Sequence, residues 1–298
     1  MTLYTEAESN IRKTWLYLSF FLILIIALGW LISYYLGNSA ILILAVVFSL
    51  GTSFFSYWYS DKIVLAISRA QPIAKSDNPE LYRIVENLCI TAGLPLPKIY
   101  VLNEAQPNAF ATGRDKNHAA IAITRGLLER LEKAELEGVI SHELSHIGNR
   151  DTLLETVIVV LVGVVVLITD FFYRAAYWGR SGRRERKGEG GSIFFLIALI
   201  LSIFAPLLAT LIRLAISRKR EFLADESGAL LTRYPEGLAR ALEKISQDPH
   251  PLGVANNATS HLYIVNPFRG FQINSFSKLF MTHPPIEERI AALRQLKI

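Results

Sequence analysis

His142-Glu143-Leu144-Ser145-His146 is the stretch of this sequence whose residue types and spacing suit chemistry. On a helix, positions i and i+4 share a face, so both imidazoles aim at one ion. Glu143 is turned about 100° away from His142. It flanks the ion without joining the ligand pair, where a general base for an activated water has to stand. Neutral imidazole suits zinc, and the single cysteine, Cys89, supplies no thiolate set to compete. The competing reading is two exposed histidines on an amphipathic helix. Val139, Ile140, Leu144 and Ile147 weigh against it, because they surround the motif with the apolar side chains of a packed helix.

Two histidines leave a catalytic zinc short of its usual three protein ligands. His146 is followed by Ile147-Gly148-Asn149-Arg150-Asp151, with no further histidine in reach, so a carboxylate elsewhere is required. In Arg218-Lys219-Arg220-Glu221-Phe222-Leu223-Ala224-Asp225, Glu221 and Asp225 share a helical face. Glu221 is the best candidate ligand, and Asp225 suits a hydrogen bond that fixes a ligand imidazole's tautomer. Alone, that segment also reads as a charged surface helix, and Asp151 and Glu155 remain alternatives for the third ligand. His118, His250 and His261 are isolated and read as satisfied or solvated, and Cys89 reads as core.

The elements that must position these residues are partly membranous. Of 298 residues, 51% are hydrophobic and only 19% charged, and mean hydropathy is +0.32. Thr14–Ser60 holds no Asp, Glu, Lys or Arg. These features exclude an ordinary soluble enzyme, a disordered chain and a disulfide-framed domain. The net charge of +5 lies beside apolar runs and forms no basic face interleaved with aromatics, so no nucleic-acid partner is expected. Thr14–Ser60 is too long for one crossing of about 20 residues. Gly37-Asn38-Ser39 divides it into helices over 14–36 and 39–60, an uncleaved hairpin in the bilayer. A second apolar pair, 152–173 and 192–216, brackets a basic loop over 174–191.

The chain therefore divides into a transmembrane hairpin (1–60), a first polar part with the His-Glu helix (61–151), the second hydrophobic pair with its loop (152–216) and a second polar part (217–298). Within the polar parts, Asn78-Pro79-Glu80 opens a helix, Lys98–Leu102 reads as a strand, and Asn108–Gly113 and Ala119–Thr124 as two more. A helix follows over about 134–149, and another starts near Ile286.

These residues resemble the HtpX-type membrane zinc metallopeptidases, relatives of the CAAX-processing prenyl-protein proteases. The resemblance runs through the N-terminal hairpin, Asn108-Ala109-Phe110-Ala111-Thr112-Gly113, the His142–His146 motif with Asp151 after it, Arg218–Asp225, and Thr282-His283-Pro284-Pro285 with Arg289. It implies a mainly α fold, multi-pass membrane helices with an α+β zincin-like metallopeptidase domain carrying a small antiparallel sheet. It further implies one zinc on His142, His146 and Glu221, with Glu143 as base. Asn108–Gly113 becomes the edge strand that pairs with substrate, and His283 a stabiliser of the oxyanion. The implied role is quality control of misfolded or damaged membrane proteins, in the cell inner membrane with the catalytic domain in the cytoplasm. Two rivals stay open: a processing peptidase of narrow specificity, and a non-catalytic scaffold using zinc structurally. A structural zinc normally has four protein ligands, and three convincing ones are visible.

Charge supports the same orientation. Arg12, Lys13, Lys62, Arg69, Lys75, Arg150, Arg213, Arg218, Lys219 and Arg220 fall on the side of the candidate site. If the second pair spans, Arg174, Arg180, Arg183, Arg184, Arg186 and Lys187 fall opposite, and the larger group marks the cytoplasm.

Overall fold

The computed structural model describes residues 3–181, 218–256, 258–268 and 284–296. The predicted span 192–216, most of the basic loop, and His283 lie outside the described residues. Two long helices open the chain, α1 (Leu3–Leu36) and α2 (Ala40–Ile67). The turn between them uses Gly37 at φ 62°, a conformation that costs glycine little. Both helices outrun their apolar stretches. Glu6, Glu8, Arg12 and Lys13 precede the first, and Asp61 and Lys62 lie late in the second. Charge ends a bilayer crossing but not a helix, and these residues are mostly good helix formers.

The third long helix is α6 (Asp151–Ser181). Ala7–Tyr35, Ala40–Ile67 and Asp151–Ile168 are each long and apolar enough to cross a membrane. Tyr17, Leu18, Phe21 and Ile25 of α1 bury against Leu154, Ile158, Leu161 and Val165 of α6, rows at helical spacing on both sides. Ile43, Leu44, Val47, Phe48, Phe54 and Phe55 of α2 stay exposed in the chain, as lipid-facing side chains do. Trp15 and Tyr34 lie about 28 Å apart along α1 by helical rise. That matches a hydrocarbon core of about 30 Å with an aromatic ring at each boundary.

Between the second and third long helices lie α3 (Pro79–Ala92), α4 (Arg125–Arg130), α5 (Lys133–Gly148) and a four-stranded sheet. Helix α3 starts where Asn78 Oδ1 accepts the Leu81 N–H at 3.0 Å and Pro79 fixes the first turn. Strands β1 (Gln71–Pro72), β2 (Lys98–Leu102), β3 (Ala109–Gly113) and β4 (Ala119–Thr124) take the order β1-β2-β4-β3. The expected antiparallel sheet is mixed: β2 and β4 pair in parallel, while β1–β2 and β3–β4 are antiparallel. The chain reverses twice between β2 and β4, which restores the original direction. Because β3 closes on the outer edge of β4, β2 is left to meet β4 itself. The two-residue β1 is too short to leave a periodic signal.

Every residue of β3 and β4 is buried, and period-two alternation divides them between two layers. Ala109, Ala111, Ile121 and Ile123 join the α3–α5 core. Phe110, Ala120 and Ala122 face Val64 and Leu65 at the end of α2, with Tyr263 edge-on to Phe110 at 5.2 Å between ring centroids. The membrane helices thus continue as part of the scaffold. Among the described residues three further helices follow, α7 (Arg218–Thr232), α8 (Pro235–Gln247) and α9 (Ile286–Gln295).

Candidate active site

Helix α5 begins with a reciprocal cap in which the Glu135 carboxylate accepts the Glu132 N–H at 2.8 Å. Leu136, Val139, Ile140, Leu144 and Ile147 anchor the helix in the core. Its remaining face carries His142 and His146 with their Nε2 atoms 3.1 Å apart. Helix α7 crosses this face closely. A Cβ on Gly228 would stand 3.0 Å from the His142 backbone nitrogen, so any larger residue would press the two helices apart by a few tenths of an ångström. Gly228 lies two turns beyond Glu221 on the same face of α7. The close crossing brings Glu221 Oε1 to 3.7 Å from His146 Nε2 and Oε2 to 3.9 Å from His142 Nε2. One ligand atom from each of these three buried residues falls within 4.8 Å of the others.

Each imidazole is held from behind. Asp225 Oδ1 lies 2.9 Å from His142 Nδ1. The same carboxylate takes a bidentate pair from Arg289 of α9, Nε to Oδ2 at 2.8 Å and Nη2 to Oδ1 at 2.7 Å. Arg289 is 0% exposed, and its Nη1 also donates to the Ile264 carbonyl at 2.9 Å. Burial disfavours the charged form of Asp225, but Arg289 and His142 more than offset it and hold the carboxyl well below the usual range. His146 Nδ1 meets Asp151 Oδ2 at 3.0 Å. Asp151 is the first residue of α6, so this support comes from the membrane helix. Thr152, next along, donates to the Gly113 carbonyl at 2.9 Å and ties the same turn to β3.

The cluster suits a cation. Burial opposes charging His146, yet the Asp151 hydrogen bond and the Glu221 carboxylate win and push its pKa up to about 10. Buried carboxylates thus draw positive charge onto the spot where two imidazoles and a carboxylate converge. His142 is driven the other way, chiefly by burial, and stays the neutral donor a metal needs.

Glu143 is buried beside the three and contributes no atom to the cluster. Loss of solvent pushes its carboxyl up to about 7, against the nearby His146 and a hydrogen bond from the Ala111 backbone. That bond fixes the geometry of β3. The Asn108 carbonyl accepts the Thr124 N–H at 3.0 Å, so Asn108, Phe110 and Thr112 face β4. Ala109, Ala111 and Gly113 therefore face the outer edge. There the Ala109 carbonyl is taken by the Ile264 N–H at 3.0 Å and the Gly113 carbonyl by Thr152. Asn108 is engaged as well, its Nδ2 donating to the Val265 carbonyl at 2.9 Å. On this outer edge the Ala111 N–H is turned to the Glu143 carboxylate.

The sequence profile of peptidase family M48 matches residues 75–297. The chain belongs to peptidase family M48. Relatives named "Protease HtpX homolog" resemble it throughout. That of Caldanaerobacter subterraneus subsp. tengcongensis is 46% identical over 301 residues, covering 100% of this chain and 99% of the relative. Those of Dictyoglomus turgidum and Pyrococcus furiosus are each 46% identical, over 297 and 287 residues, covering 99% and 95% of this chain and 95% of each relative. The crystal structure of S. mikatae Ste24p aligns with a TM-score of 0.49 at 20% identity, covering 83% of this chain and 57% of that one. The protein is a membrane metallopeptidase acting on protein substrates, with His142, His146 and Glu221 grouped as a metal site requires.

Arg289 enters the sequence reading only through the family resemblance and without a role: a lone arginine in a short helix carries no local sign that it pairs with Asp225. Gly228 is equally silent, since its role depends on the helix that crosses it.

Proposed function

We propose that this M48 peptidase is a zinc-dependent endopeptidase of the cell inner membrane that degrades misfolded or damaged membrane proteins on the cytoplasmic side. The observation that carries the reading is the convergence of His142, His146 and Glu221 beside a buried, non-ligating Glu143. His142, His146 and Glu221 would hold the metal, and Asp225 and Asp151 would orient the two imidazoles. When bound, zinc supplies Lewis acidity, lowering the pKa of a water to about 7 and polarising a carbonyl. Glu143 takes the proton of the attacking water and passes it to the leaving amine. Its desolvated carboxyl, near pH 7 in affinity, suits a group that must both accept and release a proton. An extended substrate pairs with the edge at Ala111 through backbone hydrogen bonds, which read no side chain and so favour broad specificity.

Membrane substrates fit the location. His146 is supported from the first residue of α6, where the apolar span begins, so the site lies next to the bilayer surface. Purified protein with zinc should cleave casein and several unrelated unfolded membrane segments, with Glu143→Gln in parallel. Cleavage of one defined tail alone would favour the narrow processing reading. Equal cleavage by both proteins would remove the proposal.

Ala111→Pro tests the edge. It deletes the N–H that serves Glu143 and stiffens the strand where substrate would pair. Cleavage should fall about tenfold or more, the scale of one charge-assisted hydrogen bond, with zinc content unchanged. An unaltered rate would mean that substrate binds elsewhere.

Topology is checked with single cysteines at Asn38, Ser76 and Ser181 in a Cys89→Ser background. A membrane-impermeant thiol reagent on intact cells should label Asn38 and Ser181 and spare Ser76. Labelling of Ser76 would reverse the orientation, and protection of Ser181 would mean that α6 does not cross.

A further inference from the structure

Asn10 sits near the start of α1, before the aromatic boundary at Trp15, and its side chain is 0% exposed. Both ends of its amide are used. Nδ2 donates to Asp151 Oδ1 at 2.7 Å and to the Asn149 carbonyl at 3.2 Å. Oδ1 accepts from Arg220 Nη1 at 3.0 Å. The partners dictate the amide's orientation, since a guanidinium only donates and a carboxylate only accepts. Asp151 uses its other oxygen for His146 Nδ1. Arg220 immediately precedes Glu221 on α7, and its Nε approaches Asp151 Oδ1 to 3.6 Å. One neutral amide thus joins three segments: the α5–α6 junction, the head of α6 and the turn of α7 that carries Glu221. With Oδ1 of Asp151 held, Oδ2 stays aimed at His146 Nδ1, which keeps the ring turned with Nε2 toward the cluster.

We propose that Asn10 is a positioning residue of the metal site, through which the N-terminal membrane helix sets the orientation of His146 and the placement of Glu221. The inference rests on the ligand set proposed above. It makes α1 more than an anchor: a shift of this helix in the bilayer would act on the affinity of the site for its metal.

The test measures zinc dissociation by chelator competition in full-length protein, with the absorption spectrum of the cobalt-loaded form as a second readout. Asn10→Ala and the isosteric Asn10→Asp should each release zinc about 10–100-fold faster, the usual scale for losing a group that orients a ligand. The cobalt bands should shift with them. Leu18→Ala, which removes only apolar packing between α1 and α6, should leave release and spectrum unchanged while lowering thermal stability. In an Asp151→Asn background, Asn10→Ala should add little, because the two act in series. If Asn10→Ala does not fold, Asn10→Asp carries the comparison, with metal-free thermal unfolding as the check. Wild-type release and spectrum in a folded Asn10→Asp protein would overturn the inference and leave the ligand set intact. Failure of the wild-type protein to bind zinc would instead overturn the ligand set, and the inference with it.

Discussion

Glu143→Gln should retain its zinc and lose nearly all turnover. The substitution keeps shape and removes only the capacity to accept a proton. None of the three clustered ligand atoms belongs to Glu143, so binding of the ion does not depend on it. The carboxyl is wholly enclosed, and burial has pushed it up to about 7. At that value it takes a proton from water in the reaction and releases it to an amine at ordinary pH. General-base catalysis is worth about 10²–10⁴-fold, and the amide of glutamine supplies none of it. Elemental analysis beside a peptide-cleavage assay separates binding from chemistry. A fully active, zinc-loaded Glu143→Gln protein would end the mechanism proposed here.

Glu221→Ala should lose the metal itself. Removing one of the three proposed ligands takes away more than an orienting group does, so zinc affinity should fall by more than about 10–100-fold. Asp225 gives the graded comparison. Asp225→Ala would also take from the buried Arg289 its bidentate partner, leaving it Glu221 Oε2 at 3.4 Å, and breaking a buried charge pair costs about 3–5 kcal/mol. Asp225→Asn is therefore the cleaner variant, because it keeps the volume and a partial hydrogen-bond set around His142 and Arg289. It should weaken zinc within the 10–100-fold range while the fold persists. Zinc content by elemental analysis and chelator competition read both. If Glu221→Ala keeps wild-type zinc and activity, the third ligand is another carboxylate, and Asp151 and Glu155 are the residues to test.

What the amino-acid sequence determined by itself is local. The i, i+4 spacing places His142 and His146 on one face of a helix wherever that helix packs. The uncharged run from Thr14 to Ser60, broken at Gly37, specifies a helical hairpin for a bilayer, and Asn78-Pro79 starts a helix through its own side chain. The short apolar run Ala119–Thr124 reads as a strand from its own residues. The tertiary structure alone decided what meets what. The two reversals that leave β2 parallel to β4 are a matter of which edge is free, and periodicity does not encode edges. The approach of Glu221 depends on Gly228 lying against His142, a contact between helices far apart in the chain. Arg289 reaches Asp225 only because α9 docks there, and Asn10 reaches Asp151 only because α1 runs on past its apolar stretch and crosses the head of α6. Residue type and spacing record the forces within one turn or one strand. The convergence of groups from separate elements is set by how their apolar faces pack, and a pattern read along one element carries no record of its partner.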